Sequence, residues 1–351
     1  MTAQLFDRVC QVRFGTSIID LPTSIPELNG VLQYRHDEGP RISFNLTRSI
    51  RSEPDAGTLT VYNMSDDMVQ ALKSDHERLQ FELKDLQGQA TRFPGRSENG
   101  IDDKERARLL RRTIEGFIIE VYAGYEPEPA LIFRGNITKI NDSFSGPDRL
   151  TVLELGDSHI LLENQWQGQA FGLGATPANV LKLVTELSSL NTGQDFDSMI
   201  QTVAPNAAFT PFDNGYTMAG RPLDVIDEIA DMLDVQWWVK DGHIVFLRRG
   251  VVLPDFAVLI DAKSNAMSIS EANEFGDIEF TAFLTPEIHP GRGVVLREED
   301  GRERKVRVLE TNLIGDTHGA EWKVQGVGSV VEFEIPLVLY AASQRQPERK
   351  Q

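Results

Sequence analysis

Residues 41–48 alternate, with Ile42, Phe44 and Leu46 on one side and Arg41, Ser43, Asn45 and Thr47 on the other. That period of two belongs to a half-buried strand. Pro54, Asp55, Ala56 and Gly57 supply turn chemistry, and an alternating run at 58–63 follows, so a hairpin or meander is expected to join the two. Further strands are predicted over 117–125, 130–140 and 149–155, separated by turns at 126–129 and 145–148. Short strands spaced by turn signals read as an antiparallel barrel or sandwich.

One segment breaks this rhythm. Residues 66–87 are rich in helix formers and 104–112 form a second charged helical stretch, so 66–112 reads as a helical excursion whose Met68, Val69, Leu72, Leu79, Leu83 and Leu86 should pack on something. From about Trp166 the texture changes. Thr176 is a candidate N-cap with Pro177 in the first helical position, and Val180, Leu181, Val184 and Leu187 make an apolar stripe. A second helix is predicted after Arg221 and Pro222, with Asp224, Asp227, Glu228 and Asp231 opposite its apolar face. Runs at 236–240 and 243–247 flank Asp241 and Gly242, a strong two-residue hairpin signal. Strands then return at 256–260, 277–284, 293–298, 305–311, 322–327 and 330–336, before a polar segment at 343–351. The expected fold class is mainly β with an α/β insert: β-barrels at 1–165 and 251–340, a small α/β region at 166–250 with two helices and a hairpin, and a polar stretch at 341–351.

Composition changes this picture little, but charge adds to it. The chain has 351 residues, 40% hydrophobic and 25% charged, enough to build more than one core. Its 53 acidic residues against 35 basic ones give a net charge of −18, the wrong sign for gripping a phosphate backbone and a suitable one for a wall that nucleic acid slides past. Cys10 is the single cysteine, which excludes an internal disulfide and a multi-cysteine metal site. No run reaches the roughly 20 apolar residues of a membrane span, and the first ten residues lack the pattern of a signal peptide, so synthesis in the cytoplasm is expected.

Chemistry is hard to place. No Gly-x-Ser-x-Gly elbow is present, and His36, His76, His159, His243, His289 and His318 show no ligand spacing. Asp316, His318 and Glu321 lie close together in a Gly-rich segment, where turn formation competes with a metal or acid–base role. Phe171 to Gly174 lacks the lysine of a P-loop and the third glycine of a dinucleotide fingerprint, and reads as a linker. Chance pairs among so many carboxylates could mimic a glycosidase, and Trp237 or Trp238 could stack on a sugar, although adjacent strand residues face opposite sides and at least one should be core. The expected assignment is therefore no catalytic, cofactor-binding or metal residue, no cofactor and no enzymatic activity.

Several phrases carry a resemblance: Phe44-Asn-Leu-Thr-Arg-Ser49, Gly57-Thr-Leu-Thr-Val-Tyr-Asn-Met-Ser65, Val121-Tyr-Ala-Gly-Tyr125 and Leu131-Ile-Phe-Arg-Gly135. It continues through 237–245, Asp261-Ala-Lys263 and the 315–322 segment. In order and spacing these resemble the hub proteins of phage tails and baseplates, of the late-control type. The resemblance implies two tube-type barrels per chain and a homotrimer that matches a six-fold tube to a three-fold spike. It also implies contacts with tail tube, tape measure, spike or tip and baseplate proteins, residence in the virion, and a lumen through which DNA passes. A cell-wall-degrading tail enzyme and a component of a phage-like secretion particle are the alternatives. The excursion at 66–112 departs from the pattern.

Overall fold

The computed structural model describes residues 8–14, 31–35, 38–50, 55–74, 76–78, 81, 118–125, 129–156, 167–187, 196–241 and 243–339. The turn at 126–128, the helical stretch at 104–112, Leu79, Leu83, Leu86, His36, His159 and the segment 343–351 lie outside them.

The first half contributes β1 (Arg8–Phe14), β2 (Val31–Arg35), β3 (Ile42–Ser49), β4 (Ala56–Tyr62), β5 (Ile118–Tyr125), β6 (Ala130–Ser145) and β7 (Asp148–Gly156). The last third contributes β12 (Ala257–Asp261), β13 (Ala266–Ile269), β14 (Asp277–Phe283), β15 (Gly293–Arg297), β16 (Glu303–Asp316), β17 (Trp322–Val330) and β18 (Leu337–Leu339). These form one mixed sheet of fourteen strands, in the order β13-β14-β17-β16-β3-β4-β7-β6-β5-β1-β2, with β15, β12 and β18 branching from β16. The protein is thus mainly β, as its periodicity predicts. Two separate antiparallel barrels are not what the pairing gives: β3 and β16 join the halves, β12 runs parallel to both β15 and β18, and among the described residues no strand order closes on itself.

The join is built by β16. Its first residues pair with β15 (Glu303 to Arg307) and its last seven, Glu310 to Asp316, pair with β3. A register shift between Val308 and Glu310 lies between the two partners. A bulge bends its strand and re-aims the ladder, which lets one long strand serve both. Gly315, directly opposite Phe44, makes room for that ring: a Cβ there would come within 2.3 Å of it. Gly326 and Phe280 repeat the device between β17 and β14, at 2.2 Å. Phe44 also meets Trp322 edge-on, with ring centroids 5.5 Å apart. Accordingly one apolar core runs through both halves, from Cys10, Val12 and Leu46 to Val258, Phe280 and Val324. Burial of Cys10 pushes its thiol up to about 12, which leaves it inert.

Residues 66–74 and 76–78 are helical, and Val69 and Leu72 bury against the first half of this core. The helical reading of 66–87 therefore holds where it is described. The run at 330–336 differs from its prediction. Val330 ends β17, and residues 331–336 form no strand, although Phe333 and Ile335 pack on Ala257, Leu259 and Val295. Alternation there reports a covered face, not a ladder.

Between the halves stands the α/β insert. It holds β8 (Gln167–Phe171) paired with β9 (Tyr216–Gly220), β10 (Val235–Lys240) paired with β11 (His243–Arg248), and helices Pro177–Leu187, Phe196–Val203 and Pro222–Met232. Thr176 caps the first helix as predicted: its Oγ1 accepts from the Asn179 amide at 3.3 Å while Asn179 Oδ1 accepts from the Thr176 amide at 3.0 Å. Asp241 takes a φ of 52°, the left-handed conformation a two-residue hairpin requires. The hairpin works on both faces. Val235, Trp237 and Val239 enter the insert's own core, whereas Trp238 and Leu247 pack on Ile50, just after β3, on Leu253 in the connection to β12, and on Leu309 of β16. Both tryptophans are buried, and Trp237 Nε1 donates to Asp227 at 2.8 Å, so neither is offered to a sugar.

Candidate functional site

The acidic turn that sequence singles out, Asp316 to Glu321, is a clamp between the halves. Arg41 grips the Asp316 carboxylate with two nitrogens, at 3.1 and 2.6 Å. Arg8 donates to the carbonyls of Asp316, Gly319 and Ala320, and Ile42 and Thr317 exchange two hydrogen bonds of 2.9 Å. Burial raises the Asp316 carboxyl, but the Arg41 fork and the amides of His318 and Gly319 outweigh it and hold it below the usual carboxylate range. His318 Nδ1 lies 3.1 Å from the Thr317 hydroxyl, and the Glu321 carboxylate pairs with Lys323 at 2.8 Å. These three residues thus serve the turn separately. Among the described residues no group of three His, Cys, Asp or Glu side chains is placed to hold a metal ion. Phe171 ends β8, and Gly174, at a φ of 89°, makes the turn into the next helix.

Sequence reasoning missed a buried ionic seam where the insert docks. Arg48, 4% exposed, reaches Asp55 at 3.2 Å, Asp241 at 2.9 Å and the Ile132 carbonyl at 3.1 Å. Nearby, His289 donates from Nδ1 to the Pro290 carbonyl, which leaves Nε2 to accept from Lys240 at 3.1 Å and Arg292 at 3.0 Å. Burial first, then the charges of Lys240, Arg292 and Arg48, press the His289 pKa well below 6.5, so the ring is neutral. Asp55 moves the other way, pushed up to about 6 by burial against the pull of Arg48. At the far end Arg307, 3% exposed, has Gln236 as its partner at 2.6 Å, while Nε and Nη2 find none. Parity was the available signal, because Arg48 continues the row of Ile42, Phe44 and Leu46, and Gln236 and Lys240 share a strand face with Trp238.

A broad polar surface is the face of the large sheet that turns away from the core. Across β14, β17, β16 and β3, register sets Thr281, Gln325, Asn312 and Thr47 in one row. Lys323, Ile314, Asn45, Thr58, Glu154 and Lys139 make the next, and Ser43 and Thr60 stand opposite each other beyond it. The row on the other side carries Glu279, Val327, Glu310 and Ser49. Hydroxyls and amides dominate. The charged groups on these rows nearly balance, and Glu154 is tied to Lys139 and Asn141 at 3.0 Å each. No helix among the described residues is long and apolar enough to cross a membrane.

No protein-family model matches the sequence, and neither does any curated protein. Solved structures do. The tail protein from Neisseria meningitidis MC58 superposes with a TM-score of 0.52 at 12% identity, over 93% of this chain and 97% of that one. The 43 kDa tail protein of prophage MuSo2 from Shewanella oneidensis gives 0.53 at 10% identity, over 92% and 97%. Such low identity carries fold and not residue roles, but it does so over nearly the whole length of each chain: the fold of this chain is similar to that of these two tail proteins.

Proposed function

We propose that this protein is a non-catalytic structural component of a phage-type tail, acting as the hub that joins the tail tube to the central spike or tip. The observation that carries the reading is the likeness to two tail proteins over more than nine-tenths of this chain. We read the chain as units 1–165, 166–250 and 251–340, the outer two being tube-type lobes joined edge to edge by β3 and β16. Three copies would then present six lobes side by side, a ring that also covers free strand edges.

In this reading the polar face of the sheet lines the channel for DNA. Its hydroxyl and amide rows give a nearly neutral wall in place of the acidic lumen expected from a net charge of −18. Such a wall neither binds phosphate nor adds a strong barrier to its passage. Negative-stain electron microscopy of the purified protein tests the proposal. Three-fold rings with an axial hole are expected, together with capture of tail-tube and spike proteins in pull-down. A monomer that captures neither, or lysis of peptidoglycan in a turbidity assay, would overturn it.

A further inference from the structure

We propose that the free edge of β13 accepts an extended, basic segment of a partner protein, which adds a strand there and lays alternate lysine or arginine side chains into the acidic groove beside it. The inference does not depend on the role in a phage tail. β13 pairs with β14 alone among the described strands. The Ser270 amide donates to the Glu279 carbonyl at 2.8 Å, and Ile269 stands opposite Phe280. Backbone groups of an antiparallel strand turn to alternate sides, so those of Ile269 face away from β14 and are open to another strand. The register shifts between Ala266 and Ser268, which makes Met267 the extra residue of a bulge, 46% exposed. Open edges invite pairing with another chain, and here the side chains beside the edge decide which.

The groove has a volume of about 430 Å³ and is lined by Met267, Ile269, Glu298, Glu299, Asp300 and Arg304, among others. With Glu271 its lining holds four carboxylates against one guanidinium. Arg304 is already taken by Glu271 at 3.2 Å and by Glu298, and Arg302 by Glu298 at 2.9 Å and Asp300 at 3.6 Å. Glu299 is exposed and pairs with no cation among the described residues. A second β13 edge would bring the same carboxylates and be repelled, whereas a strand of opposite sign is drawn in. On an added strand every second side chain falls on one face, about 7 Å apart, so lysine or arginine at alternate positions meets this rim. The other free edges among the described strands do not supply them. β18 is Leu337, Val338 and Leu339, β2 has Arg35 alone, and the outer half of β6 sets Lys139, held by Glu154, against Asp142.

Fluorescein-labelled peptides and the full chain test this by anisotropy. A short peptide of alternating lysine and valine is expected to bind, and its glutamate-for-lysine counterpart to bind at least several-fold more weakly. Two further basic peptides are N-methylated, one at every valine and one at every lysine. At least one of them is expected to lose affinity several-fold, because strand addition uses one row of amides and charge attraction uses none. E299K/D300K alters only an exposed turn and should weaken the basic peptide to the same degree. A photoreactive lysine in that peptide should label residues 262–271 or 298–304. Equal binding of the basic and acidic peptides, no loss on either methylation, no loss in E299K/D300K, labelling elsewhere, or a dimer through β13 that excludes the peptide would each overturn the proposal.

Discussion

Replacing Arg307 with methionine is expected to stabilise the protein, and the same substitution at Arg48 to destabilise it. The two arginines are equally buried, 3% and 4% exposed, but differ in what surrounds the charge. Arg307 has one neutral partner, Gln236, and burial holds its pKa down to about 10 from 12.5. At about 1.4 kcal/mol per pH unit that is a penalty of about 3 kcal/mol on the charged side chain. Methionine keeps much of the volume and removes the penalty. It forfeits the bond to Gln236, worth about 1 to 2 kcal/mol, so a net gain of about 1 to 2 kcal/mol remains. Arg48 is bonded to Asp55 and Asp241, and its removal strands a buried carboxylate, at a cost of about 3 to 5 kcal/mol. Urea unfolding followed by tryptophan fluorescence reads both, since Trp237, Trp238 and Trp322 are buried. If R307M loses more than about 1 kcal/mol, or R48M is neutral, the account of the seam as one compensated and one uncompensated cation is wrong.

The seam also sets opposing pH dependences. Asp55, raised to about 6, keeps its proton in the native state where the unfolded carboxyl is ionised, so its penalty is full above about pH 6 and is relieved as pH falls toward 3.8, the ordinary value of an aspartic acid. His289, depressed by burial and its cationic neighbours, contributes stability that is intact above 6.5 and lost as pH falls below it. Urea midpoints taken from about pH 7.5 down to about 5 should therefore rise more steeply with falling pH in H289Q than in the parent, and decline more in D55N. Gly326→Ala would drive a Cβ into the Phe280 ring and should cost about 1 to 3 kcal/mol, and Phe280→Leu in the same chain should recover part of the melting temperature. Asp316→Ala should lower stability by about 2 kcal/mol, by freeing Arg41 and the His318 amide, and a scan of unfolding midpoints that finds no change would remove the clamp.

What the sequence discloses is local. Alternation placed β3, β4, β5 and β14 to within a residue or two, and caps placed the helices at Pro177 and Pro222, because both signals lie within a few residues of the element they specify. The helix Phe196–Val203 was overlooked even though Phe196, Met199, Ile200 and Val203 carry helical spacing and are all buried. The pairing of β3 with β16 had no local signal at all, since partners such as Leu46 and Leu313 are far apart in the chain. Buried charge was hidden for a related reason. Arg48, Arg292 and Arg307 read as ordinary polar positions until the insert and the second half close over them.

The long join through β3 has a consequence in time. During synthesis at about 5 to 20 residues per second, roughly 13 to 50 seconds separate the emergence of Ser49 from that of its partner Glu310. Throughout that interval β3 can pair with β4 but offers the other row of its backbone groups to any strand that arrives. A fragment ending before residue 310 should therefore be prone to aggregate even when every element within it is intact. The half made first waits, one edge open, for the half made last.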